Sequence, residues 1–278
     1  MRVGDSLLSP LRGEKGLLRV GAHHVPLCPQ PTLRRWASGV AALDTALAGG
    51  LAYGRVHELY AAQDEDAAAA TGFALALLTA MADGEGRTAL WLRSHRAMRR
   101  SGVVQANGCC DLGARPETCL FAMISDTKDL LKAAVDGLRS GALGAVVVET
   151  HGRLPELDLT ASRRLALAAE KSGTTLFLLC SGTEPVPSAA ETRWRVAAAP
   201  SRALPANAPG APVFAIELLR QRSGPSGLSW QLEWNRDRRI FTEAASGDLV
   251  SVPRRGSPAA AGAGPDRPEA KEAIQRAA

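Results

Sequence analysis

Arg55–Ala82 reads RVHELYAAQDEDAAAATGFALALLTAMA, and this stretch decides the fold. From Arg55 to Tyr60 apolar and polar residues alternate as in a strand. From Ala67 to Ala82 the residues Phe73, Leu77 and Met81 recur at i, i+4 and i+8, the spacing of one helix face. A strand that passes at once into a helix is the unit of a parallel α/β sheet. In nucleotide-binding α/β folds such a junction holds phosphate, because the helix N-terminus presents free backbone N–H groups to the anion. Here the junction is Ala61, Ala62, Gln63, Asp64, Glu65, Asp66, Ala67 and Ala68. A phosphate loop needs glycines to curl the backbone, a lysine for the β and γ charges and a hydroxyl for magnesium. The junction has none of them, and no lysine lies between Lys15 and Lys128. Asp64, Glu65 and Asp66 suit the helix dipole but repel a triphosphate by roughly several kcal/mol at close range. The junction keeps the position of a phosphate site without its chemistry.

Outward from this unit the alternation continues. Thr88 to Arg93 is a second strand, introduced by the turn residues 83–86, and Cys119 to Ile124 a third. Ser125 or Asp126 caps a helix whose Leu130, Ala134 and Leu138 share a face until Gly141. Ala145 to Val148 is an uninterrupted apolar strand of the kind buried on both faces. A helix over Thr160 to Ser172 stops at Gly173, and Thr175 to Cys180 is a further strand. Beyond residue 190 helices disappear: Trp194 to Ala198, Val213 to Leu219 and Leu228 to Trp234 are strands, the last two joined by a hairpin at Gly224-Pro225-Ser226-Gly227. The expected fold is α/β, a mostly parallel sheet flanked by helices with an antiparallel C-terminal extension.

The chain has 278 residues, 46% hydrophobic and 22% charged, enough for one substantial core. Three segments are expected: an N-terminal arm over 1–33, a core domain over 34–252, and a Pro/Gly/Ala-rich tail over 253–278 too poor in large apolar residues to order. The longest uncharged helical stretch, Ala67 to Ala82, is about one turn short of a bilayer, and no basic segment followed by an apolar run opens the chain. A cytoplasmic protein with no membrane contact is expected. Five cysteines in no zinc spacing read as reduced thiols. The net charge is +5, and the stretch from Arg193 to Arg255 holds ten arginines against five acids, a surplus equal to that of the whole chain. This basic third suits a polyanion such as single-stranded DNA or, equally, a solvated surface.

The run SGVAALD at 38–44, followed by GGLAYGRVHELY at 49–60, resembles the segment that enters the ATP-binding core of RecA-type recombinases, and the likeness continues in order to about residue 235. With the hairpin ELLRQRSGPSG at 217–227, the pattern resembles the ImuA family, damage-inducible mutagenesis proteins of bacteria grouped loosely with the division inhibitor SulA. That resemblance implies a RecA-like core and a role in SOS-induced translesion DNA synthesis. The implied partners are ImuB, a catalytically inactive Y-family polymerase relative, and an error-prone replicative-type polymerase, with RecA recombinase a further candidate. Set against active recombinases, Glu149 takes the place of the aspartate that positions magnesium. Leu92-Arg93-Ser94 stands where the water-orienting glutamate belongs, and Cys180-Ser181 replaces the γ-phosphate-sensing glutamine. Arg220 and Arg222 align with basic residues that reach a neighbouring subunit's nucleotide.

These departures lead to the expectation of a degenerate ATPase core without catalytic residues, cofactor or metal. A division inhibitor and an ATPase with an unconventional phosphate loop are the alternative readings. Glu149 is read as a solvated or hydrogen-bonded carboxylate rather than a metal ligand, and His23-His24 with Cys28 as no metal site. Trp194, Trp230 and Trp234 are read as packing a sheet face rather than stacking on bases. Arg236, Arg238 and Arg239, with Arg220 and Arg222, are the candidate contacts to DNA or a protein partner.

Overall fold

The computed structural model describes residues 33–82, 87–244 and 249–250. The turn expected at 83–86, the tail over 253–278, the His23-His24-Cys28 group and the arm over 1–33, except Leu33, lie outside the described residues. Nine strands share one sheet: β1 (Val56–Ala61), β2 (Ala89–Ser94), β3 (Cys119–Ile124), β4 (Ala145–His151), β5 (Thr175–Ser181), β6 (Thr192–Ala199), β7 (Val213–Gln221), β8 (Leu228–Asn235) and β9 (Ile240–Glu243). Their order is β9-β8-β7-β6-β1-β5-β4-β2-β3. The six strands from β6 to β3 run parallel, and β7, β8 and β9 continue the sheet antiparallel. This is the expected α/β architecture, antiparallel extension included.

Among the described residues there are six α-helices, α1 (Ala41–Ala46) ahead of the sheet and α2 (Ala67–Met81), α3 (His95–Ser101), α4 (Ala106–Asp111), α5 (Thr127–Arg139) and α6 (Leu159–Ser172) between its strands. On one face of the sheet α5 and α6 set Leu130, Leu138 and Leu165 against Val146, Val148, Leu176 and Leu178. Asp126 caps α5 by accepting from the N–H groups of Lys128 and Asp129 at 2.8 and 3.1 Å. Asp158 caps α6 through Ala161 N–H at 2.7 Å, and Gly173, left-handed at φ 74°, ends it.

The other face carries α2, and here the structure goes beyond the sequence reading. Phe73, Leu77 and Met81 are buried as their spacing predicts, but so are Ala70, Ala74, Leu75, Ala76 and Thr79. The antiparallel strands close over the helix, bringing the rings of Phe214 and Phe241 to 5.4 and 5.5 Å from Phe73. A helix enclosed on several sides has no polar face, and its alanines admit close neighbours. Trp194 and Trp234 are buried in the same cluster, and Trp230 leans on Trp194 at 6.2 Å, so all three pack the sheet.

Two further differences concern local segments. Between β2 and β3 the chain forms α3 and α4; α3, HRAMRRS, buries only Ala97 and so lacks the apolar periodicity that announces a helix. The basic run at 236–239 is the turn into β9, a strand of four residues too short to read from alternation. Among the described residues no helix is long and apolar enough to cross a membrane.

Candidate functional site: the turn between β1 and α2

The turn after β1 lies at the C-terminal end of the parallel strands, where open α/β sheets bind ligands. Three of its backbone donors are engaged within the protein. Ala62 N–H bonds Val196 O on β6 at 2.8 Å, and Asp66 N–H bonds Gln63 O at 3.0 Å. Ala67 N–H bonds Asp64 O, closing a tight 3-10 turn over Asp64–Asp66 where a phosphate cradle would open outward. Ala61 and Ala62 are half-buried, Ala67 is buried, and Gln63, Glu65 and Ala68 are exposed.

The three acids have distinct tasks. Asp66 is buried and its Oδ1 accepts from Ala198 N–H at 3.0 Å, tying the start of α2 to β6. Asp64 Oδ2 accepts from Arg100 Nη2 of α3 at 3.2 Å. Its other oxygen points inward, 3.0 Å from where a Cβ on Gly182 would stand; that residue's φ of 62° and the closeness of His151 admit only glycine there. Glu65 faces solvent.

Glu149 lies within β4, which runs two residues further to His151, and is buried. The facing residue on β2 is Arg93. Arg93 Nε and Nη2 reach Glu149 Oε2 and Oε1 at 2.8 and 2.7 Å, and Trp91 Nε1 donates to Oε2 at 2.8 Å. Arg93 Nη1 also donates to Gly102 O at 2.8 Å, so both members are held in place. This is the hydrogen-bonded carboxylate of the sequence reading. Its partner, Arg93, belongs to the stretch Leu92-Arg93-Ser94 that the sequence reading sets against the water-orienting position of recombinases. A second buried pair, Arg193 with Glu58 at 2.6 Å, joins β6 to β1; Arg193 also donates to Val186 O and to Ser188 Oγ.

At the end of β5, burial pushes the Cys180 thiol up to about 12, with the Glu58 charge adding to the effect, and Thr150 Oγ1 lies 3.7 Å from its sulfur. The Cys180 thiol is thus buried and neutral at the end of its strand. His151 Nδ1 and Ser181 Oγ, 3.1 Å apart, complete the floor of the crevice. The donor set does not fit a magnesium triphosphate: Glu149 accepts from three N–H donors, Glu58 is paired with Arg193, and the turn offers carboxylates where a cation is required. Among the described residues no three His, Cys, Asp or Glu side chains cluster as metal ligands.

The candidate arginines do not form one surface. Arg220 stands beside Arg193 near the start of β6, its Nη1 3.5 Å from the carbonyls of Ser188 and Ala190, and Arg222 N–H donates to Glu191 O at 2.8 Å. Arg236, Arg238 and Arg239 occupy the opposite end of β8, some eight residues or about 27 Å away. There Arg236 Nη1 is 3.4 Å from Asp111 O, and Arg239 lines a depression with Arg87 and Arg115. Sequence reasoning missed Arg93 as the partner of Glu149 and the arginines of α3. An arginine ending the apolar strand TALWLR is the signal for the first; the second had none.

No protein-family profile matches the chain. Protein ImuA of Caulobacter vibrioides, in strains NA1000 and CB 15, is 32% identical over 198 residues, covering 66% of this chain and 77% of the relative. Among solved structures, the RadB recombinase is similar with a TM-score of 0.46 at 16% identity, over 76% of this chain and all of that one. A KaiC-like protein of Pyrococcus horikoshii OT3 is similar with a TM-score of 0.48 at 13% identity, over 77% of this chain and all of that one. With a third of the aligned residues identical across more than three quarters of the relative, this chain belongs to the ImuA family.

Proposed function

We propose that this chain is a non-catalytic, RecA-like accessory of damage-induced mutagenic DNA synthesis, a scaffold that bridges polymerase subunits. The observation that carries this reading is the closure of Arg93 onto Glu149 beside a phosphate turn made of acids. A buried arginine–carboxylate pair with all its donors engaged is a structural brace. Releasing its carboxylate to a metal would strand a buried guanidinium at about 3–5 kcal/mol. A fold that retains its sheet and helices while its ligand end is internally bonded offers surfaces rather than chemistry. The partners follow from family membership: an ImuB-type inactive polymerase relative and an error-prone replicative-type polymerase, with single-stranded DNA reached through Arg236, Arg238 and Arg239.

The test has two arms. Purified protein with magnesium and ATP should show no turnover above a blank, and a deletion strain should lose damage-induced mutation while retaining survival of unrelated stresses. Recombinase-like turnover, or unchanged induced mutation frequency in the deletion strain, would overturn the reading.

A further inference from the structure

β3 is an outer strand of the nine-stranded sheet. It pairs with β2 in unbroken register from Ala89 opposite Cys119 to Ser94 opposite Ile124, and among the described residues no strand lies on its other side. Its sequence, CLFAMI, contains no charge, proline or glycine. Leu120, Phe121 and Met123 are 56%, 42% and 52% exposed, so three of the nine exposed large apolar side chains among the described residues fall within these six. Alternation puts Leu120 on one face and Phe121 and Met123 on the other. Phe121 is held by stacking on Trp91, ring centroids 5.6 Å apart and planes 27° from parallel. Soluble proteins blunt such edges with lysine, proline, bulges or a covering segment, because open backbone donors and acceptors recruit another strand. Among the described residues this edge carries none of those devices.

The charges at its two ends indicate what covers it. Arg115 and Glu117 precede the strand, and Asp126, Lys128 and Asp129 follow it; all five are exposed, and Asp126 is engaged as the cap of α5. We propose that β3 pairs antiparallel with β3 of a second copy of this chain, about a two-fold axis through Ala122. Antiparallel pairing brings the leading end of one strand to the trailing end of the other. Arg115 then approaches the partner copy's aspartate at 129, and Glu117 falls between its lysine at 128 and its aspartate at 126, the latter already accepting from the N–H groups that open α5, so the Arg115 contact, made twice by symmetry, carries the complementarity. On the faces, each Phe121 lies opposite a Met123 and each Leu120 opposite an Ile124, apolar cross-strand pairs of the kind that stabilise sheets. The small side chain of Ala122 sits at the crossing. The contact is isologous and closes on itself, giving a dimer with one continuous eighteen-stranded sheet rather than a fibre. This inference goes beyond the proposed role and does not depend on whether nucleotide is bound.

The full chain is tested by sedimentation velocity across concentration. A dimer is expected for the parent, and Met123→Lys and Leu120→Lys should each weaken it by at least about tenfold while far-ultraviolet circular dichroism stays unchanged. Arg115→Glu should weaken it, and adding Asp129→Lys should recover it. In a Cys110→Ser background, Ala122→Cys should oxidise to a covalent dimer that the parent background does not form. A monomer at all concentrations overturns the proposal. So does a dimer indifferent to Met123→Lys and Leu120→Lys, or a charge reversal at 129 that fails to rescue the reversal at 115.

Discussion

Arg93 and Glu149 face each other across neighbouring parallel strands, joined by two N–H···O bonds of 2.8 and 2.7 Å, with both side chains less than a tenth exposed. A single residue of the pair cannot be removed without leaving a buried charge. Arg93→Ala should therefore cost about 3–5 kcal/mol in urea unfolding, whereas Arg93→Met combined with Glu149→Leu should cost far less, because the double change removes both charges and fills the space. Equal losses for single and double variants would show that the pair is not coupled.

The phosphate turn gives a second expectation. Ala67→Lys restores a cation at the helix start but leaves Asp64 and Asp66 in place and the N–H groups of Ala62, Asp66 and Ala67 bonded internally. Calorimetric titration of magnesium ATP should give no binding heat for either the parent or Ala67→Lys. Saturable heat in the variant alone would mean that charge, rather than backbone shape, closes the site.

His57 makes stability depend on pH. It is fully buried on β1, with Nε2 2.8 Å from Ala52 O and Nδ1 2.7 Å from Thr192 Oγ1, which in turn accepts from Trp194 Nε1 at 2.7 Å. One neutral tautomer satisfies the chain: Nε2 donates, and Nδ1 accepts the threonine hydroxyl. Burial lowers its pKa from 6.5 to about 4, and the Ala52 hydrogen bond only partly offsets this. The unfolded chain thus binds the extra proton first. The contribution is complete above pH 6.5 and falls as pH drops toward 4, by up to about 3 kcal/mol. Urea midpoints for the parent should fall through that window, and His57→Gln should flatten the slope. A parallel acid limb in both proteins would assign the effect to other groups.

For the basic turn, reversing Arg236, Arg238 and Arg239 to Glu should weaken single-stranded DNA binding and reduce the magnitude of its salt slope by about 2–3. Reversing Arg220 and Arg222, at the far end of β8, should leave that slope unchanged. Fluorescence anisotropy across a salt series measures both, and an unaltered affinity in the first variant would assign the turn to solvent or to a protein.

The sheet was legible because its parallel strands are short apolar runs, because helix periods follow β1, β3 and β4, and because Asp126 and Gly173 punctuate the helices. The enclosure of α2 was not: its apolar residues fit one face, and only the curl of β7–β9, a property of distant chain, covers the rest. The acids of the phosphate turn were plain in sequence, but not the tasks they perform. Asp66 binds a backbone 132 residues away, and Arg93 and Glu149 meet only because β2 and β4 become neighbours. Helix α3 escaped notice since its seven residues bury a single alanine, leaving no periodic signal.

The bond from Ala198 N–H to Asp66 constrains what this turn can become. A carboxylate that fastens α2 to β6 is kept by the fold it secures. Exchanging the acids of the turn for glycines and a lysine would loosen that fastening before any bound nucleotide could offset the loss, so the first steps toward a phosphate loop would pass through a weaker fold.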